Sequence, residues 1–163
     1  MLKAYSKFLD AVEFVIRKLV GIFMVLMVAI MCYQVVLRYV FHNSNIWSEE
    51  LTRYMFVYVS LLGSFIAMRK NTHLKVDFFV NLIKGKAHKY FTILTSIAVI
   101  AFLLYLLPLS FNLCLNTMKN ISPGLKMPMG YAYFAIPLGT ILMVLGGIEQ
   151  LLIKIADKEE VNS

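Results

Sequence analysis

Four stretches of this chain, residues 19–41, 49–68, 90–109 and 129–155, are long apolar runs with few charges. A helix needs roughly 20 mostly apolar residues to cross a bilayer, and each run has about that length. The runs occupy most of the 163 residues, so no soluble domain fits beside them. The predicted fold is an all-α membrane protein with four transmembrane helices in one domain. Composition agrees: 60% of residues are apolar, above the roughly 45–50% of soluble domains.

Basic residues indicate the orientation, because short cytoplasmic loops collect Lys and Arg. The N-terminal segment carries Lys3, Lys7, Arg17 and Lys18, and the connection between the second and third runs carries Arg69, Lys70, Lys75, Lys84, Lys86 and Lys89. Residues 42–48 carry none, and 110–130 only Lys119 and Lys126. Both termini are therefore expected in the cytoplasm. The net charge of +7 then reflects attraction to an anionic membrane face and calls for no nucleic acid. The apolar run after the basic start is too long for a cleaved leader, and no small-residue cleavage site follows it. It reads as retained. Cys32 and Cys114 show no metal-ligand spacing and read as small apolar filler.

Two segments are expected to lie along the membrane surface, in contact with lipid. In 1–18, Tyr5, Phe8, Leu9, Val12, Val15 and Ile16 recur at helical period with Lys3, Lys7, Asp10, Glu13 and Arg17 between them. This segment is read as a helix that lies flat before the chain turns into the bilayer. In 72–88, Val76, Phe79, Val80 and Ile83 share one face, while Asp77, Asn81, Lys84 and His88 share another.

Charged residues at membrane depth are costly and need a stated partner. In "NIWSEELTR", Ser48 is a candidate N-cap, and Glu49 and Glu50 suit the positive end of a helix dipole. Arg53 is one helical turn from both, and Arg38 at the end of the first run is a cross-helix candidate. Trp47 marks the interfacial belt. An ion-pair clamp explains this cluster better than a coupling-cation site, since the spans hold no other acid except Glu149 near the opposite end. From there Glu149 can reach water or meet a basic loop residue.

His42, His73 and His88 fall in connections and cannot pair across a haem at mid-membrane. Gly63 and Ser64, and Gly139, Gly146 and Gly147, offer small surfaces for close helix packing. Pro137 is expected to loosen the fourth helix, and Pro108 to help end the third. "SPGLKMPMG", residues 122–130, reads as a turn-rich entry to the fourth helix. No nucleophile and base pair, phosphate loop or metal cluster emerges, so neither enzyme activity nor a cofactor in this chain is expected.

The succession "QVVLRYVF", "WSEELTRYMFVYVSLLGSFIAMRKNTHLKVD" and "PMGYAYFAIPLG" resembles the small membrane subunit of the tripartite ATP-independent periplasmic (TRAP) transporters. It carries Arg38, Trp47, Glu49, Glu50, Gly63, Arg69, His73, Asp77 and Pro137 in that family's order. The resemblance implies a partner, a large multi-helix subunit that holds the sodium and substrate sites and works as an elevator. It also implies a periplasmic binding protein that delivers an organic acid such as a C4-dicarboxylate or sialic acid, and a place in the bacterial inner membrane. The small subunit then widens the part that stays fixed. On that view Arg38, Trp47, Glu49, Glu50 and Arg53 secure the outer ends of the first two helices, and Arg69, His73 and Asp77 secure the cytoplasmic turn. Two competing readings are an autonomous four-helix exporter of cations, which needs an acid where this chain has Gln34 and Arg38, and a haem-bearing membrane anchor, which the histidine positions oppose.

Overall fold

A computed structural model describes residues 2–42, 45–70 and 86–161. The helices are α1 (Leu2–Tyr39), α2 (Ile46–Arg69), α3 (Lys86–Thr117), the short α4 (Gly130–Tyr133) and α5 (Ala135–Val161). Four helical stretches, Tyr5–Tyr39, Ile46–Arg69, Ile93–Thr117 and Gly130–Ile153, are long and apolar enough to cross a membrane. Among the described residues there is no strand, only an isolated antiparallel bridge between Ile121 and Pro128.

The expected break between 18 and 19 is not present, because α1 is one helix of 38 residues. No proline interrupts it, and a single seam runs along its length. Leu9, Ile16, Phe23, Ile30 and Leu37 recur every seven residues and are all buried or half-buried. A seam of that period keeps one face of the helix against its neighbour, and here it continues without a shift through residues 18 and 19. Most of the second predicted surface helix, 72–88, lies outside the described residues, as do His73 and Asp77.

The third helix also differs from expectation. It passes through Pro108 and ends at Thr117, eight residues beyond the predicted end at 109. A proline removes one backbone hydrogen bond and crowds the preceding turn. Packing outweighs that cost here. Ser110, Cys114 and Thr117 form one buried face, and the Cys114 thiol lies 3.4 Å from the Gly130 carbonyl oxygen. Pro137, by contrast, acts near where it was expected. It is fully buried in the first turn of α5, and the regular helix is interrupted at Phe134 without losing its direction, since Phe134 keeps helical angles (φ −59°, ψ −23°).

The helices pack in the order α1, α2, α5, α3, with α1 along α2, α2 along α5 and α5 along α3. Two separate groups of buried side chains result. Leu9, Ile16, Leu62 and Phe65 join α1 to α2, with Leu138, Leu142 and Leu145 of α5 against them. Met68, Leu103 and Val144 join α2, α3 and α5. The α2 and α5 backbones run in the same direction and approach closely at glycines. A β-carbon on Gly139 would stand 2.8 Å from Cβ of Leu61, and one on Gly147 would stand 2.9 Å from Cε of Met68. Gly63 is different, with nothing within 4 Å of such an atom. The outer faces of α1 and α3 are apolar, with Ile22, Val25, Leu94 and Phe102 among the exposed side chains. Lipid is a suitable solvent for such surfaces.

Candidate functional site

Charged groups gather at both ends of this arrangement. At the end formed by the α1–α2 and α3–α4 connections, α2 begins at Ile46, three residues earlier than expected. Asn45 takes the N-cap position with extended backbone angles (φ −110°, ψ 108°) and no side-chain cap. Ser48 is thus not the cap. It is buried inside the first turn, where its hydroxyl donates to the Asn45 carbonyl at 2.9 Å.

Glu49 and Glu50 then have different roles. Glu49 accepts from Arg53 at 3.0 Å, but both side chains are more than 60% exposed, and such pairs contribute little. Glu50 does not pair with Arg53. Its Oε2 accepts the backbone N–H groups of Gly124 at 2.8 Å and Leu125 at 3.1 Å, and its Oε1 accepts the Tyr54 hydroxyl at 2.5 Å. A carboxylate between successive N–H groups of a turn is well matched to their dipoles. The turn is tight. The Ser122 N–H donates to the Met127 carbonyl at 2.9 Å, and Lys126 adopts φ 54°. Gly124 fits closely there, because a β-carbon would meet Glu50 Oε2 at 2.5 Å and the Trp47 Cα at 3.1 Å, so that the carboxylate would have to shift. Trp47 leans on Tyr33 of α1, with ring centroids 6.4 Å apart. Arg38 is exposed on the last turn of α1 and makes no ion pair among the described residues, so the expected cross-helix pair does not form there.

At the other end, Arg69 on the last turn of α2 organises a denser cluster. Its Nε donates to Glu149 Oε2 at 2.6 Å and its Nη2 to Glu149 Oε1 at 2.8 Å, a two-point grip. Nη2 also donates to Asp10 at 2.8 Å. Nη1 donates to Glu13 at 2.6 Å and to the Leu9 carbonyl at 3.0 Å. All five guanidinium donors are therefore occupied. The Arg69 side chain is 7% exposed and that of Glu149 2%. Arg17 pairs with the second oxygen of Glu13, and the Gln150 amide donates to the Arg69 carbonyl. Tyr5 adds a bond from its hydroxyl to the Leu145 carbonyl at 2.9 Å. One cation thus fastens α1, α2 and α5 at a single level, and the buried charge of Glu149 is compensated.

The Arg69 network was only partly foreseeable. Glu149 meets a basic residue, as expected, but is buried instead of reaching water. Asp10 and Glu13 read as the polar face of a surface helix, and their approach to Arg69 depends on α1 being unbroken. Tyr54, Tyr58 and Gly124 were also missed. The Tyr58 hydroxyl donates to the Tyr131 carbonyl at 2.7 Å, close to the interruption that Pro137 causes. One available signal was that Glu149 sits within an apolar run, where a buried acid needs a partner.

Four helices long and apolar enough to cross a membrane, three of them joined at one end by Arg69 and α2 tied at the other to the turn at Gly124, define a multi-pass membrane protein. Residues 27–157 match the model of the family described as tripartite ATP-independent periplasmic transporters, DctQ component, and the chain belongs to that family. It is a transporter component and not an enzyme. It is 24% identical over 128 residues to the sialic acid TRAP transporter small permease protein SiaQ of Vibrio cholerae, covering 78% of this chain and 74% of that one. It is 27% identical over 107 residues to the C4-dicarboxylate TRAP transporter small permease protein DctQ of the same organism, covering 66% of this chain and 45% of that one. It is also 41% identical over 70 residues to the sialic acid TRAP transporter permease protein SiaT of Haemophilus influenzae, covering 43% of this chain and 11% of that much longer one.

Proposed function

We propose that this chain is the fixed scaffold subunit of a sodium-coupled, binding-protein-dependent secondary transporter for an organic acid of the sialic acid or C4-dicarboxylate type. It stands beside a large elevator subunit in the bacterial inner membrane, with both termini in the cytoplasm, and a periplasmic binding protein delivers the substrate. The observation that carries this reading is the use made of Arg69 and Glu149, a buried charged pair whose hydrogen bonds hold helices together. A moving transport domain needs a stationary reference. A row of helices in which Arg69 joins α1, α2 and α5 and Glu50 ties α2 to the turn after α3, with apolar outer faces, resists tilting and sliding. The SiaT match supports a large partner, because the aligned segment is a small fraction of that permease.

The test is affinity purification of the chain from its native membrane in mild detergent, followed by mass spectrometry. The expected result is a much larger multi-helix membrane protein in stoichiometric amount. Recovery of the chain alone or as a homodimer that binds a cationic dye would overturn the scaffold reading in favour of an exporter.

A further inference from the structure

On α1, a shallow, open groove of about 440 Å³ lies on a single exposed helix face, lined by Arg17, Lys18, Gly21, Ile22, Val25 and Leu26. We infer that this groove is a binding site for one anionic glycerophospholipid, with its phosphate held by Arg17 and Lys18 and the start of an acyl chain lying over Gly21 against Ile22, Val25 and Leu26.

Three observations carry the assignment. The first is depth. Arg17 and Lys18 directly precede the uncharged stretch that begins at Leu19, and a helix rising about 1.5 Å per residue covers the roughly 30 Å hydrocarbon core within 19–41. The two cations therefore sit at the headgroup level, with the groove descending one to two turns into the acyl region. The second is shape. Gly21 is exposed, and a β-carbon built on it meets nothing within 4 Å, so the backbone is open to a ligand from outside. The third is charge. Asp10 and Glu13 are engaged by Arg69, toward α2 and α5. The Arg17 side chain is 57% exposed although one of its nitrogens pairs with Glu13, and the Lys18 ammonium lies over the Phe14 ring, 5.6 Å from its centroid. Lys18, which makes no ion pair among the described residues, and the exposed part of Arg17 thus place cations at the polar edge of the apolar groove, a complement to an anionic headgroup.

The experiment uses the full chain purified with whatever membrane partner accompanies it, equilibrated with equal amounts of phosphatidylglycerol and phosphatidylcholine of matched acyl chains. Retained lipid is counted by native mass spectrometry. The wild type is expected to prefer phosphatidylglycerol on the order of tenfold, the size set by one to two interfacial cations, and Arg17→Gln with Lys18→Gln is expected to abolish the preference. Gly21→Leu keeps both cations and fills only open space. It is expected to lose one bound lipid without lowering the thermal midpoint, since replacing a helical glycine gains propensity. A wild type without preference overturns the site. So does a Gly21→Leu chain that retains the same lipid number and preference, which would make the attraction a general property of a basic surface. Lipid bound by the isolated chain but displaced when the large subunit is present would assign the groove to a protein partner and would likewise overturn it.

Discussion

Arg69 and Glu149 lie 80 positions apart in the chain, yet the guanidinium grips the carboxylate through two bonds of 2.6 and 2.8 Å. The two residues differ in how many other partners each has. Arg69 has Asp10 and Glu13 in addition, whereas Glu149 is held by Arg69 and is only 2% exposed. Removing either partner therefore has unequal consequences.

Arg69→Leu leaves Glu149 as an uncompensated buried charge and is expected to cost about 3–5 kcal/mol. Glu149→Leu is expected to cost less, because Arg69 keeps two carboxylates. The double variant should regain part of what Arg69→Leu loses. Thermal unfolding of the detergent-solubilised protein checks the ranking, and equal losses from the two single variants would contradict it.

Glu49 and Glu50 should separate although they are adjacent. Glu49→Gln removes an exposed pair and is expected to change stability by less than about 0.5 kcal/mol. Glu50→Gln should lower the thermal midpoint clearly more, because it weakens the tie from α2 to the turn at Gly124. Gly124→Ala places a methyl group against the same carboxylate and is expected to cost about 1–3 kcal/mol. If Glu49→Gln proves the more harmful of the two, the roles described for them are wrong.

Glycines on the two sides of the structure should respond in opposite directions. Gly139→Ala drives a methyl group into Leu61 and is expected to destabilise by about 1–3 kcal/mol. Gly63→Ala meets open space and gains helix propensity of up to about 1 kcal/mol. Parallel unfolding curves of the two variants and wild type test this.

Pro108 lies inside α3, and its replacement by Ala restores a hydrogen bond to the Leu104 carbonyl. Pro108→Ala is expected to raise stability, by at most about 3 kcal/mol. A clear loss of stability would show that the proline contributes a bend that the packing of α3 on α5 needs.

The number of crossing helices and their approximate positions followed from the sequence alone, because an apolar run of bilayer length has few alternatives. The family likeness was legible for a related reason: the resemblance rested on the order of residues such as Trp47, Glu50 and Pro137 along the chain, and the family match covers residues 27–157. What the sequence left open was partnership. Glu50 had Arg53 one turn away, and only the folded α3–α4 turn brings the N–H groups of Gly124 and Leu125 to its carboxylate. Asp10 and Glu13 carried no local sign of Arg69, which lies at least 56 positions away. Helix ends behaved likewise, since Pro108 argues locally for a stop and the buried face of Ser110, Cys114 and Thr117 decides for continuation. Local hydrophobicity determines which segments enter a membrane. Which charged groups meet depends on how the helices are placed side by side, and that is settled by packing between residues far apart in the chain.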